Sequence, residues 1–248
     1  MDDYDQNKHF KFGKDNPTLM KKPFWTYMVC NPHLSAYDAR KENNDDFSND
    51  SNTSTWCFSR FGATQTYLPD GRLICIGGEH EDSYDPDFQI YNDVVVIRNP
   101  RMVRAHYMYS LPVPSNFPLE TTSSEGEILG TSKPEDVTIY GYPEHVFPPT
   151  DFHTATYVKN NDQEDFIYVI GGLGYLNSSH RKETHVYRLR LSNFSIEQVK
   201  TTGNGPVGCT ERHQATLITM GDRKMIEICL KNHRRYRLDV ETATWKKN

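Results

Sequence analysis

Two strand-like runs that each close on a pair of glycines constrain this chain more than any other feature: Arg72-Leu-Ile-Cys-Ile-Gly-Gly78 and Asp165-Phe-Ile-Tyr-Val-Ile-Gly-Gly172. Ile74, Ile76, Ile167 and Val169 favour a pleated, well-buried strand. The glycines behind them permit positive φ, or a close approach of backbone that a side chain would forbid. A strand closing on Gly-Gly twice in one chain marks an internal repeat.

The flanking segments repeat as well. A strand-like run precedes each pair: Arg60 to Leu68, with the turn Pro69-Asp-Gly71 behind it, and Asp151 to Val158, with the polar stretch 159–164 behind it. A third copy runs from Glu211 to Ile218 and leads into Met220-Gly-Asp222. The shared centre reads Gly62-Ala-Thr64, His153-Thr-Ala-Thr156 and His213-Gln-Ala-Thr216. A third strand follows in each unit (Tyr91 to Ile97, Thr184 to Leu191, Arg234 to Val240), then a fourth (Asp136 to Tyr140, Phe194 to Val199, Ala243 to Trp245). Four short strands per unit, with a recurring aromatic, suit radial repetition around a channel.

This order resembles the kelch repeat, the unit of roughly 50 residues that builds kelch β-propellers. The resemblance covers about residues 54–248. In detail the chain is similar to small kelch proteins that carry a Tyr-Gly-Tyr-Pro…Phe-Pro-Pro-Thr-Asp-Phe-His segment, here Tyr140 to His153. It implies an all-β fold, a kelch-type β-propeller that is small or incomplete, with a short helical N-terminal appendage. Three blades are recognisable, at about 54–147, 148–203 and 209–248, and Trp25 to Cys30 with Thr55 to Phe58 are candidates for a partial fourth. The resemblance carries no activity with it. The third unit departs from the pattern, because Ile228-Cys-Leu-Lys231 stands where Gly-Gly is expected. The two diglycines are also nearly two kelch periods apart. The segment 99–135 between them holds Pro100, Pro112, Pro114, Pro118 and Pro134. Prolines cannot donate within a central ladder, so an insertion between the third and fourth strands of the first blade is favoured over a degenerate blade. Val103 to Leu111 is a candidate edge strand within it.

Composition sets the remaining bounds. The 36% of hydrophobic residues suffices for one core, and a net charge of −5 gives no electrostatic reason to expect nucleic acid or an anionic membrane as partner. Apolar runs are far shorter than a spanning helix requires. Five cysteines form no CxxC pair, and Cys75 and Cys229 fall inside strand patterns, which suggests reduced, partly buried thiols. Met1-Asp-Asp-Tyr-Asp5 has neither a basic nor an apolar leader region, so a cytoplasmic location is expected, with the nucleus left open. The sequons at Asn49, Asn52, Asn177 and Asn193 are then chance occurrences. Residues 1–22 read as a flexible arm and 23–53 as a helical and looped appendage. Within the appendage a helix is expected over 33–42, with Asn31 as its cap and Pro32 in its first turn.

Three constellations could carry chemistry. Glu79-His-Glu-Asp82, with Asp85 and Asp87, follows the first diglycine; Glu79, His80 and Asp82 could ligate a divalent cation, and a solvated acidic loop is the simpler account. Arg60, His153 and His213, with Arg212 beside the last, stand at equivalent strand starts and could converge at a channel mouth. Hydrogen bonding to a neighbouring blade is the simpler account there. Among aromatics, Tyr84, Phe88, Phe117 and Tyr175 lie in expected loops and are the better partner anchors, whereas Tyr140, Tyr142, Phe147, Phe152, Trp56 and Trp245 read as core. Arg235 and Arg237 alternate onto one strand face, balanced by Asp239 and Glu241. No nucleophile elbow, Walker loop or HExxH spacing occurs.

The expectation is a non-catalytic protein–protein interaction module, with no cofactor, whose partner is another protein met by the loops 79–90, 101–135 and 173–183. Glu79, His80, Glu81 and Asp82 belong to the first of these. The alternatives are a small-molecule-binding or metal-dependent enzyme using Glu79, His80, Asp82, His153 and His213, and a homo-oligomer that completes the propeller with a second copy.

Overall fold

In the computed structural model, which describes residues 2–45, 54–82, 85–100, 132–160, 164–176, 179–180 and 183–247, the chain is mostly antiparallel β-sheet with its helices gathered at the start. The elements run α1 (Asp2–Asn7), β1 (Thr18–Leu19), α2 (Pro23–Cys30) and α3 (Ala36–Glu42), then β2 (Thr64–Tyr67), β3 (Leu73–Ile76), β4 (Glu79–Asp82), β5 (Asp85–Ile90), β6 (Val94–Ile97) and β7 (Val137–Gly141). Next come β8 (Thr154–Val158), β9 (Phe166–Ile170), β10 (Tyr175–Leu176), β11 (Ser179–His180), β12 (Val186–Arg190) and β13 (Ile196–Gln198). The last are β14 (Thr202–Gly203), β15 (Gln214–Met220), β16 (Arg223–Cys229), β17 (Arg235–Asp239) and β18 (Thr244–Lys247).

Each repeat folds into one antiparallel meander. The first sheet has the order β1-β7-β6-β3-β2, the second β13-β12-β9-β8, and the third β14-β18-β17-β16-β15, where β14 pairs in parallel. The first strands of the three repeats, β2, β8 and β15, lie side by side, so the sheets stack face to face. The segment 99–135 joins two strands that pair directly, β6 and β7, so it is inserted within one sheet. The edge strand expected at Val103 to Leu111 lies outside the described residues.

Alternation within each strand supplies both faces of every layer. Ile74, Ile76, Val94 and Val96 of the first sheet meet Ile167, Val169, Tyr187 and Leu189 of the second. Tyr168, Ile170 and Val186 on the second sheet's other face meet Ile226, Ile228, Tyr236, Leu238 and Trp245 of the third. Burying a side chain of this size is worth about 1.5–3 kcal/mol, so each seam is a substantial core.

The N-terminal residues depart from expectation. Residues 1–22 are no free arm: β1 adds a fifth strand to the first sheet through Thr18↔Gly141 and Leu19↔Tyr140, and Tyr4 and Met20 are buried. Trp25 to Cys30 is helix α2, not part of a fourth blade. Its Trp25, Met28 and Val29 cover Leu73, Cys75, Val95 and Ile97 on the open face of the first sheet. The expected helix at 33–42 begins at Ala36, where Ser35 and Asp38 form a reciprocal capping box; Asn31 instead follows the end of α2. The acidic stretch expected as a loop is the β4–β5 hairpin, and β10–β11 makes a smaller one within 173–183. No helix among the described residues is long and apolar enough to cross a membrane.

Candidate functional site

The diglycines are seats for the next sheet. A Cβ on Gly77 would fall 2.3 Å from the Thr150 carbonyl oxygen and 3.3 Å from the His153 ring; on Gly171 it would fall 2.1 Å from the Thr210 carbonyl oxygen and 3.0 Å from the His213 ring. Both glycines have positive φ. The amide of Gly78 donates to the Thr150 carbonyl and that of Gly172 to the Thr210 carbonyl, each at 2.8 Å. His153 Nε2 lies 2.9 Å from Thr64 Oγ1, and His213 Nε2 lies 2.9 Å from Thr154 Oγ1. One joint is therefore built twice, from a Thr-x-x-His segment on one sheet and Gly-Gly on the sheet before it.

The joint explains the third repeat. Gln214 pairs with Cys229 as Thr64 pairs with Ile76 and Thr154 with Ile170, so Leu230 and Lys231 occupy the diglycine positions. No fourth sheet docks there among the described residues, and the chain turns back at once into β17, the Leu230 amide donating to the Arg234 carbonyl and the His233 amide to the Leu230 carbonyl. Without an incoming backbone, the positions tolerate side chains.

The four residues expected at a channel mouth separate. The residue that corresponds to His153 and His213, immediately ahead of the first strand, is Ala63 in the first unit, and Arg60 corresponds to Thr150 and Thr210. Arg60 is buried, its guanidinium bonded twice to Asp93, which also accepts from Trp56 Nε1 at 2.9 Å. It also donates to the carbonyls of Cys57 and Gly77 and stacks 3.6 Å from the centre of the Tyr91 ring. A buried charge is tolerated only when paired and hydrogen-bonded in this way. His153 and His213 are buried in the seams. Burial pushes the His213 imidazole down to about 4, against the opposing pull of Glu211.

Arg212 alone of the four is exposed, and it belongs to a row along the rim. Gly62, Phe152 and Arg212 occupy equivalent positions and all have positive φ. The Phe152 amide donates to the Gly62 carbonyl and the Arg212 amide to the Phe152 carbonyl, both at 2.8 Å. A Cβ on Gly62 would meet the Phe152 ring at 2.9 Å, and the Arg212 guanidinium lies 3.7 Å over that same ring. The side chains overlap like shingles, with Arg212 outermost and 53% exposed. Phe61, beside Gly62, is exposed, as is Phe88 on β5.

The acidic constellation is not a surface loop at its start. Glu79 and His80 are buried on β4, and His80 Nδ1 lies 3.2 Å from Cys57 Sγ. The reason is pairing: Glu79↔Ile90 and His80↔Gln89 draw the segment into the hairpin. Glu81, Asp82 and Tyr175 lie on strands whose side chains fall outside the described set, and Tyr84 and Phe117 lie outside the described residues. Among the described residues no three His, Cys, Asp or Glu side chains are grouped to hold a metal ion. Asp151 Oδ1 accepts from the Gly174 amide at 2.7 Å and steadies the loop behind the second diglycine. The joint residues Thr64, Thr150, Thr154 and Thr210, together with Asp93, were not singled out from the sequence. The signal for the joint was there: Thr150-Asp-Phe-His153 and Thr210-Glu-Arg-His213 repeat one spacing.

No protein-family model matches the chain, and no curated protein matches it.

Proposed function

We propose that the chain is a kelch-type propeller scaffold of three blades that works as a non-catalytic protein-binding module, with its partner seated on the rim formed by Phe61, Phe152 and Arg212 beside Phe88. The propeller reading is supported by three meanders of like strand order whose first strands lie side by side. The single observation that carries the function is the backbone at Phe152 and Arg212. Both are held at φ +50, where a residue with a side chain costs about 1 kcal/mol more than glycine, and the equivalent first-unit position is glycine. A strained backbone that lays the exposed Arg212 guanidinium on the half-buried Phe152 ring fits a recognition surface, since these residue types dominate binding energy. Phe61 and Phe88 add exposed rings nearby.

The enzyme reading has less behind it, because His153 and His213 are taken up by threonine hydroxyls and His80 lies beside a buried thiol. Completion of a ring by a second copy also has less behind it: the first sheet's outer face carries α2, and Leu230-Lys231 offers no glycine seat. The test is a photo-reactive residue installed at Phe61, cross-linked in the native cell extract. A discrete adduct whose yield falls at least about tenfold with Arg212→Ala supports the rim. No discrete adduct, or one indifferent to Arg212→Ala, removes it.

A further inference from the structure

No further sheet lies against the outer face of the third sheet among the described residues; Met225 and Asp239 on it are buried, and its charges do not cancel. Strand alternation brings Arg223, Glu227, Arg235, Arg237, Asp239 and Lys246 onto that face. Glu227 is shared by two arginines: Arg235 reaches its Oε1 at 2.9 Å and Arg237 its Oε2 at 2.8 Å. Asp239 serves Arg223 and the amides of Glu241 and Thr242. Lys246 stands directly across from Arg237, with no ion pair of its own among the described residues. Like charges directly opposed on a sheet are destabilising. A purely solubilising end face needs only polarity; it gains nothing from setting two cations against each other beside an already shared carboxylate.

We propose that this face docks an acidic segment of a protein partner, whose carboxylates complete the pairing around Arg235, Arg237 and Lys246. The proposal rests on the binding-module reading and adds a second surface with a stated chemistry. A protein segment is favoured over a nucleic acid because Glu227 interrupts the cations, which suits carboxylates spaced along a peptide better than a continuous phosphate chain. With strands about 4.8 Å apart and rising about 3.4 Å per residue, the face spans roughly 400 Å², about half of one side of a standard interface, so the contact is weak and salt-sensitive.

The test titrates the full chain with a fluorescent oligoglutamate peptide, followed by anisotropy. The wild type binds at about 20 mM salt and loses the peptide by about 0.3 M. Lys246→Glu weakens binding about tenfold yet raises Tm by about 1–2 °C, because it replaces the Arg237–Lys246 repulsion with attraction. A merely structural role for Lys246 would not move the two readouts in opposite senses. No binding by the wild type at low salt overturns the proposal, as does undiminished binding by Lys246→Glu. So does tighter binding of single-stranded DNA than of the peptide, which would make the face a nucleic-acid surface. The titration reads the sheet face and the Phe61 cross-link reads the rim, so either can fail alone.

Discussion

At His213 burial outweighs the other influences on the imidazole. The ring packs over Gly171, its Nε2 meets Thr154 Oγ1, and its pKa is held down at about 4. An unfolded histidine titrates near 6.5. Between those two values the unfolded chain binds a proton that the folded chain does not, so stability falls as pH drops from about 6.5 to about 4 and levels off below. By pH 4.5 the loss from this residue is about 2–3 kcal/mol. His213→Asn keeps hydrogen-bonding capacity but does not titrate. Urea unfolding at pH 7 and pH 4.5 should therefore show the wild type losing that much more stability than the variant. Parallel pH profiles would mean that the ring is not buried neutral.

At the scale of elements, the joint between sheets decides which glycines matter. Gly171 and Gly208 both have positive φ, but a Cβ on Gly208 would meet nothing within 4 Å. Gly208→Ala therefore costs only the backbone preference, about 1 kcal/mol, whereas Gly171→Ala also drives a methyl into the Thr210 carbonyl and should cost about 3 kcal/mol or more. Similar losses in chemical denaturation for the two variants would show that the seat is not tight. Much of this layout is legible in the sequence, because a strand that ends on Gly-Gly is a local signal and the meanders join neighbours in the chain. The histidines' structural role was legible for the same reason, since they recur at one offset from β8 and β15. Arg60 misled because counting from strand starts aligns it with histidines, when the backbone aligns it with Thr150 and Thr210. The departure at Leu230-Lys231 was visible, but its cause, the lack of an incoming sheet, lies outside the segment itself. The role of residues 1–22 was hidden because β1 pairs with β7, across most of the first sheet, and no local pattern announces such a contact.

Taken whole, the molecule is a stack whose first exposed face is closed by apolar helices and whose last is closed by charge. The helical end depends on a polar bolt: Arg60 and Asp93, buried together, tie the Trp56 segment to the first sheet, while Trp25 and Trp56 stack at 4.7 Å above it. Removing one partner of a buried pair strands the other charge, so Asp93→Asn should cost about 3–5 kcal/mol. Replacing both residues with apolar ones of similar volume should cost less than that single change, because no buried charge is then left behind. The consequence extends beyond the bolt if the seams couple the sheets. Trp25 and Trp56 report on the N-terminal end and Trp245 on the third sheet, and the chain has three tryptophans in all. In a Trp245→Phe background fluorescence follows the helical end alone, and with Trp25 and Trp56 replaced by Phe it follows the third sheet alone. A stack that unfolds as one unit shows the same Asp93→Asn shift through both reporters. If the shift is confined to the helical end, the third sheet is an independent unit, and the joint at Gly171 does not transmit stability between the layers it joins.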